Sequence, residues 1–408
     1  MTETTEETGL FQYPQWRDPA DPLTPPPAYL EVQEKEPLTR VMLPSGRTTW
    51  LITGQDLGRQ ILTEPDVSVD RTNPAYPFPV PNPEAVVAQL ARWTQILLGD
   101  DPPLHTARRR MLITEFTVRR AQAMRPRIQE IVDAAIDDLV AAGPPADLVK
   151  HVALSVPSLV ICELLGVPYE DHEFFQTRTM LQLERDVSVA EQKQAIDELL
   201  AYFEVLISKK EEHPEDDLLS RLIVNNREKE AFDHEALVAL GLLLLVGGHE
   251  TTGNVIALGT AAMLNDPEQF AALKEDPSLM PSAVEEFLRY FSPATATNRV
   301  ATADIDLDGT TIKAGEGMIV HLTAMARDAR VFPDPQRLDV RRNPKGHMAF
   351  SHGIHQCMGQ NLARVELEIV FNTLFRRLPD MRLTKPFDEL SYKFRGLAFG
   401  IHDLEIAW

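Results

Sequence analysis

Apolar residues recur at helical spacing through the middle of the chain and alternate only near its two ends and around residue 300. The helical pattern covers Thr106 to Phe116, Arg125 to Ala142, Leu154 to Leu165 and Ala190 to Lys210. Gly143-Pro144-Pro145 and Gly166-Val167-Pro168 interrupt it. Asp233 is a suitable N-cap for a helix to about Leu264, ~48 Å long at ~1.5 Å per residue. That helix is apolar on nearly every side in its first half, which predicts a central, buried element. Pro281 opens another helix, and Leu362, Val365, Glu366, Ile369, Val370 and Leu374 mark one nearer the C-terminus.

Strand signals are fewer. Val41, Leu43, Trp50 and Ile52 flank a Ser45-Gly46 turn, which predicts a hairpin over Thr39 to Ile52, followed by a short helix to Leu62. An alternating run from Val300 to Leu307 meets Asp308-Gly309, a hairpin turn into a second strand from Thr310 to Lys313. Leu390 to Trp408 reads as strands broken at Gly396 and Gly400. Residues 1–27, rich in proline, predict an irregular arm. Asn73 to Pro83 holds five prolines in eleven residues and must be a loop, either a lid or a plain connector. Phe174 to Val187 reads as irregular. The class is mainly α with a smaller β portion, in a single domain over 1–408.

The 408 residues are 44% hydrophobic and 25% charged, an ordinary globular composition. Lys and Arg total 40 against 61 Asp and Glu, a formal charge of −21, a field that disfavours nucleic acid and anionic lipid. Two cysteines and no signal-peptide pattern fit a reducing cytoplasm. The longest apolar run, Ala236 to Gly248, is 13 residues, short of the ~20 that span a bilayer. The expectation is a cytoplasmic monomer with no membrane or nucleic-acid partner.

One cysteine lies in Phe350-Ser351-His352-Gly353-Ile354-His355-Gln356-Cys357-Met358-Gly359, directly ahead of a helical pattern. Helix N-terminal amides favour the thiolate, the form that ligates metals. No second Cys or His stands at zinc spacing. The set suits one thiolate on one face of a planar cofactor, with Gly359 allowing close approach of a flat ring and Phe350 shielding the sulfur. A small buried hydrophobe is the alternative for a lone cysteine.

The central helix carries an anomaly, Gly247-Gly248-His249-Glu250-Thr251-Thr252. Each mid-helix glycine costs ~1 kcal/mol relative to alanine, and a buried carboxylate costs more unless paired. A threonine hydroxyl can donate one turn back, a loosened helix leaves room for a ligand, and an acid beside an alcohol makes a two-step proton path. A kink without chemistry is the alternative. Elsewhere, His105 and Arg109 share a helix face and could hold a carboxylate, although Arg108, Arg109 and Arg110 cannot all point inward and a solvated basic face competes. Glu286 and Arg289 form an i,i+3 pair, weak evidence by itself.

Phe-x-x-Gly-x-x-x-Cys-x-Gly, the Gly-Gly-x-Glu-Thr-Thr hexad and Glu-x-x-Arg together resemble the cytochrome P-450 monooxygenases, over nearly the whole chain. The similarity is greatest to soluble actinobacterial members acting on secondary metabolites and foreign compounds. Departures are Ser351, where glycine is common, and Ala326, where asparagine is usual. The resemblance implies the cytochrome P-450 fold, with heme b between a long central helix and the Cys357-bearing helix. It implies that Cys357 ligates the iron and that His105, Arg109, Arg299 and His355 meet the propionates. Thr251 would hold the oxygen being activated and Glu250 would relay protons to it. Glu286, Arg289 and Arg337 would form a structural triad for folding and heme loading. Leu243, Val246, Gly247, Thr295, Thr297, Leu397 and Ala398 would line the substrate pocket, with the loop at Tyr76 and Phe78 capping it.

The activity so implied inserts one oxygen atom from O2 into a C–H bond of a large apolar natural product: a macrolide, a polyketide lactone of the statin-precursor kind, or a steroid-like terpenoid. No flavin or nicotinamide fingerprint is present, so electrons must come from a ferredoxin and its reductase, docking through residues such as Arg108, Arg110 and Lys345. A peroxygenase using hydrogen peroxide is the alternative, and it generally lacks the acid–alcohol pair. A heme-thiolate sensor and a heme-free helical scaffold explain less of the sequence.

Overall fold

A computed structural model describes residues 10–84, 87, 95–183, 187–394 and 398–408. The chain forms two compact units. The first comprises Met1–Pro102, Leu288–Leu338 and Pro344–Cys357, and the second Pro103–Phe287, Asp339–Asn343 and Met358–Trp408.

The first unit is built on a six-stranded sheet. Leu38–Met42 and Thr48–Ile52 pair antiparallel across the predicted turn, where Gly46 takes φ +78°. Gly317–Val320 then adds parallel to Thr48–Ile52, Thr297–Ala301 antiparallel to Gly317–Val320, and Val67–Ser68 along the edge. The helix Gln55–Thr63 follows the hairpin as expected, and Ile61, Leu62, Met318, Val320 and Met325 pack into one apolar cluster with the sheet.

Two expectations change here. The described part of the N-terminal segment is no loose arm: Phe11–Gln12 pairs parallel with Leu38–Met42, and Tyr13 is buried with Tyr29, Val41 and Leu51. Apolar aromatic area outweighs the irregular, proline-rich backbone. The run from Val300 to Leu307 is two strands, because after Ala301 the backbone turns to donate from Thr302 to Asp66. Ile305–Leu307 then pairs with Thr310–Ile312, and Asp308 and Gly309, at φ +54° and +75°, make the hairpin turn. The Asn73–Pro83 stretch is a loop, but Tyr76 and Phe78 are buried against Val300, which anchors it.

The second unit is helical. Arg125–Ala142 and Ser155–Leu165 stand where periodicity placed them, the first ending at Gly143 and the second at the left-handed Gly166. Leu104–Leu112 stops short of Phe116, because Thr117 caps a separate helix, Val118–Ala123, by accepting from the Arg120 amide. The stretch from Phe174 is helical rather than irregular: His172–Leu183 is held by Phe175, fully buried 4.7 Å from Tyr202 and 5.8 Å from Phe203, ring centre to ring centre. Ser188 and Glu191 form a capping box that starts the next helix, Val189–Glu212.

The longest helix is His234–Asn265, capped by Asp233 as predicted. By length and composition it could cross a membrane, contrary to the count of its longest uninterrupted apolar run. However, 72% of its most apolar stretch is buried inside the protein, as in a core helix. It stays α-helical through both glycines, so the expected loosening is absent from the backbone. Gln360–Arg377 follows the cysteine loop. Among the described residues of Leu390 to Trp408 only Glu405–Ala407 is a strand, between Arg382–Leu383 and Ala146–Asp147, and Tyr392 and Ile401 form an isolated bridge.

Candidate active site

In the first unit, the cysteine loop is shaped by two left-handed residues, Ser351 at φ +61° and Gly353 at φ +74°. The Cys357 amide donates to the Phe350 carbonyl at 2.9 Å, and Gly353–His355 forms one 3₁₀ turn between them. The thiol is exposed, as is Ile354 at 51%. Cys357 is therefore presented by its loop, unlike Cys162, which is buried in Ser155–Leu165 with its thiol pushed up to about 12 by burial. Phe350 is half-buried, and Gly359 takes a right-handed helical conformation as N-cap of Gln360–Arg377, so its φ does not demand glycine.

Arg299 is buried in Thr297–Ala301. It donates to the Thr297 hydroxyl at 2.9 Å and the Asn298 carbonyl at 2.7 Å, and no described carboxylate pairs with it. Burial pulls its pKa down to about 10. A guanidinium placed this way suits an anionic ligand. His355 is half-buried in the 3₁₀ turn.

In the second unit, His105 is buried and Arg109 half-buried on Leu104–Leu112, so this pair is no solvated face. Arg110 is exposed, and Arg108 donates to the Ala231 carbonyl with its guanidinium 5.4 Å from the Phe232 ring.

The Gly247–Thr252 hexad breaks the burial of the central helix on one side. Leu244, Val246, Gly247, Gly248 and Thr251 are the residues of this stretch with exposure, four of them at i, i+3, i+4 and i+7, and a β-carbon on Gly247 would meet nothing within 4 Å. Thr251 donates to the Gly247 carbonyl at 3.0 Å. Glu250 is buried, and its Oε1 lies 2.8 Å from Lys393 Nζ. His249 is buried with Nε2 3.1 Å from the Leu154 carbonyl, and burial, helped by the Lys393 charge, lowers its pKa to about 4. Lys393 gave no signal in the sequence beyond the demand that a buried acid find a cation.

Of the residues expected to line a substrate pocket, Gly247 is exposed and Val246, Thr295 and Thr297 half-buried. Leu243 and Ala398 are buried, and Leu397 lies outside the described residues. Arg289 is buried and donates to the carbonyls of Ala326, Pro335 and Arg337. The Arg337 side chain is exposed. Glu286 accepts from the Asp339 amide at 3.0 Å and pairs with Arg342 at 3.1 Å, a partner the sequence reading missed. Arg327, also unforeseen, is buried with its guanidinium 3.5 Å from the Tyr290 ring centre.

These residues fit a heme. Cys357 presents a thiolate ligand of the kind that holds a heme iron from one face. Buried Arg299 suits a propionate, and the open stripe at Gly247 gives a ligand access to an otherwise packed helix.

The family model described as cytochrome P-450 matches residues 177–379. The chain is 46% identical to the pentalenic acid synthase of Streptomyces avermitilis over all of both chains. It superimposes on the crystal structure of cytochrome P-450 MoxA from Nonomuraea recticatena with a TM-score of 0.91, at 45% identity over 98% of each chain. The mycinamicin hydroxylase MycCI from Micromonospora griseorubida, solved with mycinamicin VIII, matches at TM-score 0.88 and 38% identity over 97% of this chain and 100% of that one. Identity of this order over full length joins fold, heme-thiolate chemistry and sequence in one assignment: the chain belongs to the cytochrome P-450 family of monooxygenases.

Proposed function

We propose that the protein inserts one oxygen atom from O2 into a C–H bond of a large, weakly polar natural product: a macrolide, a polyketide lactone of the statin-precursor kind, or a steroid-like terpenoid. The observation that carries this reading is the open stripe of the central helix, where Gly247 leaves room and Thr251 stands beside the acid Glu250. The family uses O2 and a redox partner and binds apolar substrates. The names of the relatives, a pentalenic acid synthase and a hydroxylase bound to mycinamicin VIII, support a secondary metabolite.

Cys357 would ligate the heme iron, with Phe350 screening the sulfur and Gly359 beside the ring. Arg299, His355, His105 and Arg109 would neutralise the propionates. When bound, the heme activates O2 and delivers one of its atoms to the substrate C–H bond. The chain's own work is to position and to move protons. Glu250 would supply the proton, and Thr251, its own hydroxyl hydrogen held by the Gly247 carbonyl, would offer Oγ1 as the acceptor that orients the bound group or water receiving it. Leu243, Val246, Gly247, Thr295, Thr297 and Ala398 would offer the substrate an uncharged surface. Glu286, Arg289 and Arg337, with Arg342, would secure the fold for heme loading.

The electrons would come from a ferredoxin and its reductase. Arg110 and Lys345, both exposed, are the docking cations, while Arg108 is committed to Ala231 and Phe232. The two units would act as a single catalytic domain of a cytoplasmic monomer.

Optical titration of the ferric holoenzyme with a panel of such compounds tests the substrate class. A low- to high-spin Soret shift with a macrolide or terpenoid supports it. No shift with any of them, while the ferrous carbon monoxide complex keeps its thiolate spectrum, overturns the substrate class and leaves the heme assignment standing.

A further inference from the structure

The pairing of Glu250 with Lys393 joins the acid of the proton path to a part of the chain remote in sequence. The side chains are 7% and 10% exposed. Burying either ion alone costs several kcal/mol, so each depends on the other for its place. Glu250 Oε1 carries the contact, while Oε2 is buried without a hydrogen-bond partner among the described residues.

Lys393 is held beside Gly400 and His402 by backbone contacts. Its amide donates to the Gly400 carbonyl at 2.8 Å, the His402 amide donates to Ser391 at 2.7 Å, and the rings of Tyr392 and Phe399 stack. Gly400 lies against the central helix so closely that a β-carbon there would come within 2.0 Å of Asn254 Oδ1. Glu250 and Asn254 are four apart, hence on one helix face. That face is thus met at two successive turns, by Lys393 and by Gly400. Lys393 is the charged group in contact with Glu250 among the described residues, and the neighbouring His249 is bonded to the Leu154 carbonyl and neutral at pH 7.

We propose that Lys393 is a positioning residue for the proton relay: it fixes the Glu250 carboxyl through Oε1, leaves Oε2 as the oxygen that takes and gives the proton, and ties the acid to the contact of Gly400 with the central helix. The proposal rests on the reading of Glu250 and Thr251 as the relay.

The test uses the ferric holoenzyme with Lys393→Met, Lys393→Arg, Glu250→Gln and the double variant Glu250→Gln/Lys393→Met. Infrared difference spectra should show the Glu250 carboxyl bands displaced in Lys393→Met, at their wild-type position in Lys393→Arg, and absent from Glu250→Gln and the double variant. Amide exchange at Lys393 and His402 should be roughly tenfold faster in Lys393→Met than in wild type, with Lys393→Arg restoring protection. Wild-type infrared and exchange behaviour in Lys393→Met would overturn the proposal. If Lys393→Met does not fold, Lys393→Gln takes its place in the same two measurements. Failure of the relay reading looks different: Glu250→Gln would then keep full product yield per electron pair, whatever the carboxyl band does.

Discussion

Gly353 rests on the Leu62 carbonyl so closely that a β-carbon would fall 2.0 Å from that oxygen, and its φ of +74° lies where side chains are strained. The glycine is thereby what lets the cysteine loop lie against the end of Gln55–Thr63. Gly353→Ala should cost at least about 2 kcal/mol, from the left-handed backbone and the displaced carbonyl together. Thermal melting and the thiolate signature of the ferrous carbon monoxide complex should both decline, and an unchanged melt would contradict the geometry.

Two residues earlier, Ser351 stands at φ +61°, and its hydroxyl is buried without a partner among the described residues. Ser351→Gly removes both penalties but gives the unfolded chain more freedom. A net gain of roughly 0.5–1 kcal/mol is expected, read as a higher melting temperature with an unaltered Soret band. A lower melting temperature would mean that the serine is held by something other than its backbone.

Thr251→Ala removes the hydroxyl bonded to the Gly247 carbonyl while sparing the helix. Product per electron pair should fall by at least about tenfold, with the missing electrons recovered as hydrogen peroxide, and Thr251→Ser should restore most of it. Full coupling in the alanine variant would assign the proton step elsewhere.

His249 and His321 are buried and neutral, with pKa values lowered from 6.5 to about 4 and about 3, in each case chiefly by burial. The charge of Lys393 adds to this at His249 and that of Arg17 at His321. Below pH 6.5 the unfolded chain binds protons that the folded one refuses, so stability is full above that pH and is lost as the pH falls toward 4. At ~1.4 kcal/mol per pKa unit, each histidine should account for on the order of 2 kcal/mol by pH 4.5. His321→Asn keeps an acceptor for the Ala324 amide, which the imidazole caps at 3.1 Å, and should flatten this acid limb in pH-dependent melts. An identical limb in the variant would remove His321 from the account.

Much of the fold and the family was legible because the signals are local. A helix start needs an Asp or Ser three residues ahead of an amide, as Asp233 supplies, and a hairpin turn needs two residues tolerant of positive φ, as Asp308-Gly309 supplies. The Phe350–Gly359 motif and the glycine-rich hexad likewise lie within ten residues each, and they gave the family before any coordinates did. His172–Leu183 was missed for the opposite reason: its own pattern is weak, and it forms because Phe175 finds Tyr202 and Phe203 on another helix.

By itself, then, the sequence determined the helical framework, the presented cysteine and the acid–alcohol pair, since each follows from residues within a turn or two of one another. Only the tertiary structure decided which cations serve the buried acids. Lys393 reaches Glu250 and Arg342 reaches Glu286, across 143 and 56 residues of chain. A buried charge requires a counter-charge without specifying where along the chain it comes from, and packing alone brings the two together.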